Sequence, residues 1–97
     1  MNRTLVERRL RSVSERIKVL QRDLRVAEEQ LAHIADDAEE ARLQALVSET
    51  PIAEQRHHEA QRHADAMRRH RDDLLAELQD LEASQDSLLD RLVAART

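Results

Sequence analysis

The fold is organised around Ser48-Glu49-Thr50-Pro51, a stretch at the middle of the chain that contains its only proline. Proline lacks a backbone N–H and disfavours a helical conformation at the residue before it. It suits the first turn of a new helix, however, and Thr50 is a good N-cap for such a helix. The stretch therefore predicts two helices in one domain spanning residues 1–97: helix 3–47, turn 48–50 and helix 51–95.

The composition favours helices and excludes several kinds of chemistry. The 97 residues include no Gly, Cys, Phe, Tyr or Trp. Without cysteine there is no disulfide, thiolate metal site or thiol nucleophile, and without glycine there is no phosphate-cradling loop. The abundant Ala, Leu, Arg, Glu and Gln are strong helix formers. We expect an all-α protein that is not an enzyme and that binds no cofactor or metal.

No apolar run in the sequence approaches the length of a membrane span, and no signal peptide is visible. We therefore expect a cytoplasmic location and no membrane partner.

Apolar residues in the first helix recur at alternating steps of four and three, which is the pattern of a coiled-coil seam. The seam residues are Val6, Leu10, Val13, Ile17, Leu20, Leu24, Ala27, Leu31, Ile34, Ala38, Ala41 and Ala45.

The same period resumes after the turn, so the second helix also carries a seam. Position d holds Ala53, Ala60, Met67, Leu74, Leu81, Leu88 and Ala95, and position a holds His57, Ala64, Arg71, Leu78, Gln85 and Leu92. Three of these residues are polar: His57, Arg71 and Gln85.

The two seams predict an antiparallel coiled-coil hairpin. If facing residues have numbers that add to 98, every a position meets a d position. The net charges of residues 1–25, 26–55, 56–71 and 72–97 are +5, −7, +3 and −5, so opposite signs meet in the hairpin. The predicted flanking pairs are Glu28 with Arg68, Arg42 with Glu54 and Asp37 with His63. Two further pairs are like-charged: Arg9 with Arg91 and Asp23 with Glu77.

The seam changes in character along the hairpin. It is rich in leucine near the chain ends and rich in alanine near the turn. Because small side chains bury little apolar area, we expect the half near the turn to be the more weakly held.

Two sets of apolar residues fall outside the seam, and such clusters usually mark an interface. We name Leu43, Leu46, Val47 and Ile52 the tip set and predict that it binds a protein partner. We name Leu5, Val19, Val26, Leu75, Leu89 and Val93 the shaft set and predict that it mediates self-association, giving a dimer with four helices around a shared core.

The basic start of the chain supports an alternative, in which the protein is a regulatory factor that binds nucleic acid or RNA polymerase through this block or through the hairpin tip. This block could contact phosphates, or its charge could simply be neutralised by the acidic last block. Its members are Arg3, Arg8, Arg9, Arg11, Arg16, Lys18, Arg22 and Arg25.

Histidines and an acidic run are the remaining candidates. His33, Asp37 and His63 could form a three-ligand zinc site, and His57 in the seam could make a pH-sensitive contact. The remaining histidines are His58 and His70.

The acidic run is Asp36, Asp37, Glu39 and Glu40. The predicted hairpin resembles that of transcript-cleavage factors of the Gre type, which use acidic residues at the tip. Here the run lies about ten residues before the turn, on the shaft.

The sequence therefore favours a non-enzymatic interaction or adaptor protein that self-associates and binds an unidentified protein partner through its tip or its shaft.

Overall fold

The computed structural model describes residues 2–95 and is all-α over that range, with no strand. Helix α1 spans Arg3–Ser48 and helix α2 spans Pro51–Ala94. The two form a helical hairpin, as predicted. The observed link is Glu49 and Thr50 alone, because Ser48 completes α1 instead of opening the turn.

Glu49 makes the reversal possible. Its φ of 49° is in the left-handed region, and its N–H donates to the carbonyl of Ala45 at 3.1 Å. This pattern is the αL motif that terminates many helices, usually with glycine at this position. The chain has no glycine, so a residue with a Cβ adopts the conformation at a cost of about 1–2 kcal/mol.

The predicted cap of α2 is confirmed. The hydroxyl oxygen of Thr50 accepts a hydrogen bond from the N–H of Ala53 at 3.2 Å, and Pro51 is the first residue of the helix. Asn2 performs the same function for α1, because its side-chain oxygen accepts from the N–H of Leu5 at 2.8 Å. Each helix therefore begins with a side-chain cap that satisfies a free backbone donor.

The described residues divide into two compact units. We name residues 2–24 and 73–95 the terminal unit, and Arg25–Asp72 the turn unit. Both helices contribute to both units, and the link belongs to the turn unit.

Large aliphatic side chains form the core of the terminal unit. Ile17, Leu20 and Leu78 make one buried cluster, which joins the two helices. Four half-buried residues pack against it: Val13, Leu24, Leu74 and Leu81. The cluster brings together Leu20 and Leu78, which the predicted register pairs.

Polar contacts in the terminal unit show that the helices are antiparallel there. The side-chain amide of Gln85 donates to the hydroxyl of Ser14 at 3.1 Å, and Arg16 contacts Glu77 at 3.1 Å. Residue numbers rise along α1 while those of the partners fall along α2. The first bond also explains the polar residue Gln85, since its amide is satisfied across the seam.

Alanine dominates the buried positions of the turn unit. Leu31, Ile34 and Met67 are only half-buried. The buried apolar side chains are Ala27, Ala38, Ala45, Ala53 and Ala64. The uneven seam that the sequence predicts is therefore present in the structure.

The predicted seam matches the observed burial closely. All twelve seam residues of α1 are buried or half-buried. In α2 the exception is Ala95, which is exposed because it lies beyond the end of the helix. The heptad period thus identifies the face of each helix that is buried.

None of the three predicted pairs, Glu28 with Arg68, Arg42 with Glu54 and Asp37 with His63, forms an ion pair between the helices in residues 2–95. Arg42 bonds both carboxylate oxygens of Glu39, and Arg68 bonds Asp65. Each arginine has an acid three residues away on its own helix, which is within easy reach. The predicted partners Glu54 and Glu28 are therefore not the ones used.

Candidate functional site

The tip set is exposed in the turn unit. The exposed fractions are 49% for Leu43, 63% for Leu46, 85% for Val47 and 62% for Ile52. Val47 and Ile52 lie on either side of the link, and their exposure shows that they do not fold over it as a cap. The hairpin leaves all four side chains open to solvent.

The seam explains why the turn unit cannot bury the tip set. Buried Ala45 and Ala53 occupy the contact between the helices closest to the link. Leu43, Leu46 and Val47 follow the spacing i, i+3, i+4 and so lie on one side of α1, away from the seam. Ile52 stands at the second position of α2, adjacent to Pro51.

The shaft set does not form one surface within a single unit. Leu5, Val19, Leu75, Leu89 and Val93 belong to the terminal unit. Val26, which is exposed, belongs to the turn unit instead. The structure also places Val19 half-buried, so it offers less area than the other members.

Three members of the shaft set lie on one side of α2. Leu75 and Leu89 are two heptads apart and share one flank of the seam. Val93 follows Leu89 by four residues, which places it on the same side of the helix. In residues 2–95, the exposed large apolar side chains are the tip set and the shaft set without Val19. No other part of the described chain offers a competing apolar surface.

The basic block is only partly neutralised. Arg3 pairs with Glu7 and Arg16 with Glu77, all with exposed side chains. Arg8, Arg9 and Arg11 form no ion pair within the described chain, although acidic residues are frequent in the last block. Such exposed pairs are worth little, about 0–1 kcal/mol each.

The described residues contain no group of three His, Asp or Glu side chains that could hold a metal ion. The zinc site considered for His33, Asp37 and His63 is therefore not assembled. His58 contacts Glu54 at 3.3 Å instead, and its ring stacks on that of His57. Nδ1 of His57 is buried and has no hydrogen-bond partner among the described residues.

The acidic run is on the exposed surface of α1. A bidentate hydrogen bond from Arg42 holds the pKa of Glu39 below its ordinary value, against a smaller opposing effect of desolvation. The positive charge of Arg42 and the proximity of His57 lower this pKa further. The run thus supplies an ion pair within α1, and it converges with no other ligand on a metal site.

Comparison with known proteins found no match: no family model matches the chain, and neither do curated proteins or solved structures. None of the helices described for residues 2–95 is both long and apolar enough to cross a lipid bilayer.

Proposed function

We propose that this chain is a non-enzymatic adaptor, in which the tip set binds a protein partner and the terminal unit associates with a second copy. The observation that carries the proposal is the exposure of four large apolar side chains around the link. Burying one such side chain fully stabilises a complex by about 1.5–3 kcal/mol, so four of them supply a substantial part of an interface.

The arrangement of the tip set indicates how a partner binds. Helices that dock in a hydrophobic groove present anchors at i, i+3, i+4 and i+7. Leu43, Leu46 and Val47 provide the first three of these positions, and Ile52 adds a fourth apolar contact from α2. The small seam residues beneath them keep this end of the hairpin narrow. These features support insertion of the tip into an apolar groove of the partner.

The tip is tested by replacing Leu43 and Leu46 with serine together. A photo-crosslinking residue at Val47 captures the partner in host extract, and mass spectrometry identifies it. We expect the double variant to lose that crosslink while keeping its helicity and melting temperature, because both side chains are already exposed. The matched control replaces Leu75 and Leu89 with serine and retains the crosslink. A tip variant that melts early and still captures the same protein would assign the leucines to folding.

Self-association is tested in the terminal unit. We expect Leu75→Glu with Leu89→Glu to shift the protein from dimer toward monomer in sedimentation equilibrium, because charge on an apolar contact must be desolvated. The control places the same charges at Leu43 and Leu46. An unmodified chain that is monomeric at high concentration would contradict the proposed dimer and leave the tip proposal intact.

The exposed, unpaired arginines of the basic block keep nucleic acid as the alternative partner. Binding that depends on these arginines falls steeply as salt concentration rises, whereas apolar helix packing does not. Repeating the capture at two salt concentrations therefore separates the two functions.

A further inference from the structure

A groove in the terminal unit has no role in the proposed adaptor function. Its volume is about 360 Å³, and both helices line it. Arg9 contributes from α1 and Arg91 from α2. Both side chains are exposed, and neither forms an ion pair within residues 2–95.

The two arginines form an unusual pair for a helical hairpin. Residues in these flanking positions face each other across the seam, and opposite charges there stabilise the pairing. One heptad further along the same flank of α1, Arg16 satisfies this expectation by contacting Glu77. Arg9 has Arg91 instead, so two positive charges meet in the same groove.

The helices themselves offer these arginines no compensating acid at the usual spacing. Positions three and four residues from Arg9 hold Leu5, Val6, Ser12 and Val13. The corresponding positions around Arg91 hold Ser87, Leu88, Ala94 and Ala95. By contrast, Arg3, Arg42 and Arg68 each pair with an acid at that spacing.

Hydroxyl groups complete the groove. Ser12, Ser84 and Ser87 line it together with the two arginines. Each serine supplies an O–H donor that rotates to suit a ligand. Half-buried Val13 and buried Leu88 line the rest, and among the described residues no carboxylate does. The groove therefore has donors and positive charge in excess, and an apolar lining residue from each helix.

We propose that this groove binds the phosphate group of a small phosphorylated compound. Guanidinium groups bind phosphate oxygens in a bidentate manner, and the serine hydroxyls add further donors. A bound dianion would balance the two positive charges that Arg9 and Arg91 bring to the groove. The groove is also roughly ten times larger than the 30 Å³ that one water occupies, so it has room for a phosphate together with the group that carries it. Among the described residues no aromatic side chain lines the groove on which a nucleobase could stack, which favours the phosphate itself as the recognised group.

Isothermal titration calorimetry with inorganic phosphate and with pyrophosphate tests this site. We expect Arg9→Gln with Arg91→Gln to weaken pyrophosphate binding by about tenfold or more, because charge-assisted hydrogen bonds are lost. The matched control is Arg8→Gln with Arg11→Gln. It removes the same charge from residues that do not line the groove, and we expect less than about a twofold change.

A second variant tests the contribution of the serine hydroxyls to binding without changing the charge of the groove. Ser84→Ala with Ser87→Ala keeps the net charge and both arginines, and we expect it to weaken binding as well. Circular dichroism of the ligand-free arginine variant is expected to show unchanged helicity and an equal or higher melting temperature, since like charges have been removed.

Three results would overturn the proposal. An unmodified chain that binds neither phosphate nor pyrophosphate has no such site. Equal losses in the groove variant and its control indicate a diffuse basic surface. Groove-dependent binding of a single-stranded oligonucleotide without binding of pyrophosphate would assign the groove to nucleic acid. None of these results bears on the tip set, so they are distinguishable from a failure of the proposed function.

Discussion

The terminal unit and the turn unit are built from the same two helices by different means. The terminal unit buries large side chains, with Leu20 and Val6 almost wholly removed from solvent. The turn unit buries alanines at the equivalent heptad positions. Since hydrophobic stabilisation grows with the apolar area removed from water, we expect the seam to stabilise the terminal unit more strongly.

Polar contacts reinforce this difference. The side-chain hydrogen bonds that join the two helices in residues 2–95 are in the terminal unit, from Gln85 to Ser14 and from Arg16 to Glu77. Those of the turn unit run within one helix, as in Arg42 with Glu39 and Arg68 with Asp65. The turn unit therefore depends on small-residue packing and on the two-residue link that joins its helices.

Truncating one buried residue in each unit should give the largest difference. We expect Leu20→Ala to lower the free energy of unfolding by about 2–5 kcal/mol, because it leaves a cavity in the main cluster. Ala64→Gly, at an equally buried position of the turn unit, should cost only about 0.5–1 kcal/mol. Urea denaturation followed by circular dichroism measures both values. Equal costs would mean that the two units are held equally well.

Enlarging a buried alanine tests how closely the helices pack in the turn unit. We expect Ala64→Leu to destabilise the protein by about 1–3 kcal/mol, because the added atoms find no space in the seam. Ala66→Leu is the control on the exposed side of the same helix and should change stability by less than about 0.5 kcal/mol. Thermal unfolding of the two variants gives the comparison. Stabilisation by leucine at position 64 would show that the seam is loosely filled.

Relieving the backbone conformation of Glu49 should stabilise the turn unit modestly. Glycine adopts a positive φ without the Cβ clash, but it loses more entropy on folding, so we expect Glu49→Gly to gain about 0.5–1 kcal/mol. Ser48→Gly, one residue earlier inside α1, should instead lose about 0.5 kcal/mol. Melting temperatures of both variants check the signs. A loss at position 49 would show that the Glu49 side chain itself stabilises the link.

The smallest effect concerns the ion pair within α1 of the turn unit. We expect Arg42→Gln to raise the pKa of Glu39 toward its ordinary value, because the lowering hydrogen bond is removed. His57→Gln should raise it less. Since the folded pKa is depressed, the stabilisation is complete above the ordinary carboxyl pKa and is lost as pH falls through the lower folded value. NMR titration of the Glu39 carboxyl measures the shift. A pKa that stays low in Arg42→Gln would contradict the assigned cause.

The sequence predicts the fold well because the constraints on it are periodic and local. A heptad repeat predicts which side of each helix is buried. The residues that it identifies correctly include Leu20 in the terminal unit and Ala64 in the turn unit. Thr50 is a good N-cap and Pro51 suits only the first turn of a helix, so the start of α2 could be predicted from these two residues. The left-handed residue was harder to locate, because several positions around Ser48 could end α1.

Side-chain partners were predicted less well than backbone elements. Arg42 had two candidate acidic partners, Glu54 across the hairpin and Glu39 on its own helix. The choice between them depends on which carboxylate the arginine side chain can reach, and the sequence pattern does not contain that information. The groove at Arg9 and Arg91 had one signal in the sequence, the like-charged pair, whereas its serines fit no recognised motif. The exposed positions of the tip set could be predicted from the heptad pattern. Their binding partner could not, because apolar contacts are non-directional and many surfaces can cover the same side chains.

The two-residue link constrains how the chain can change length during evolution. The link is too short to absorb a shift of one helix along the other, because Ala45 and Ala53 are both buried close to it. An insertion in α1 alone would carry Ala38 past its neighbours on α2, and any length other than a heptad would also rotate it by about 100° per residue out of the seam. Insertions and deletions of residues near the turn should therefore occur in whole heptads, with one heptad added to or removed from each helix. Homologous sequences are expected to vary in that paired manner, while unmatched differences accumulate beyond Asn2 and Ala95.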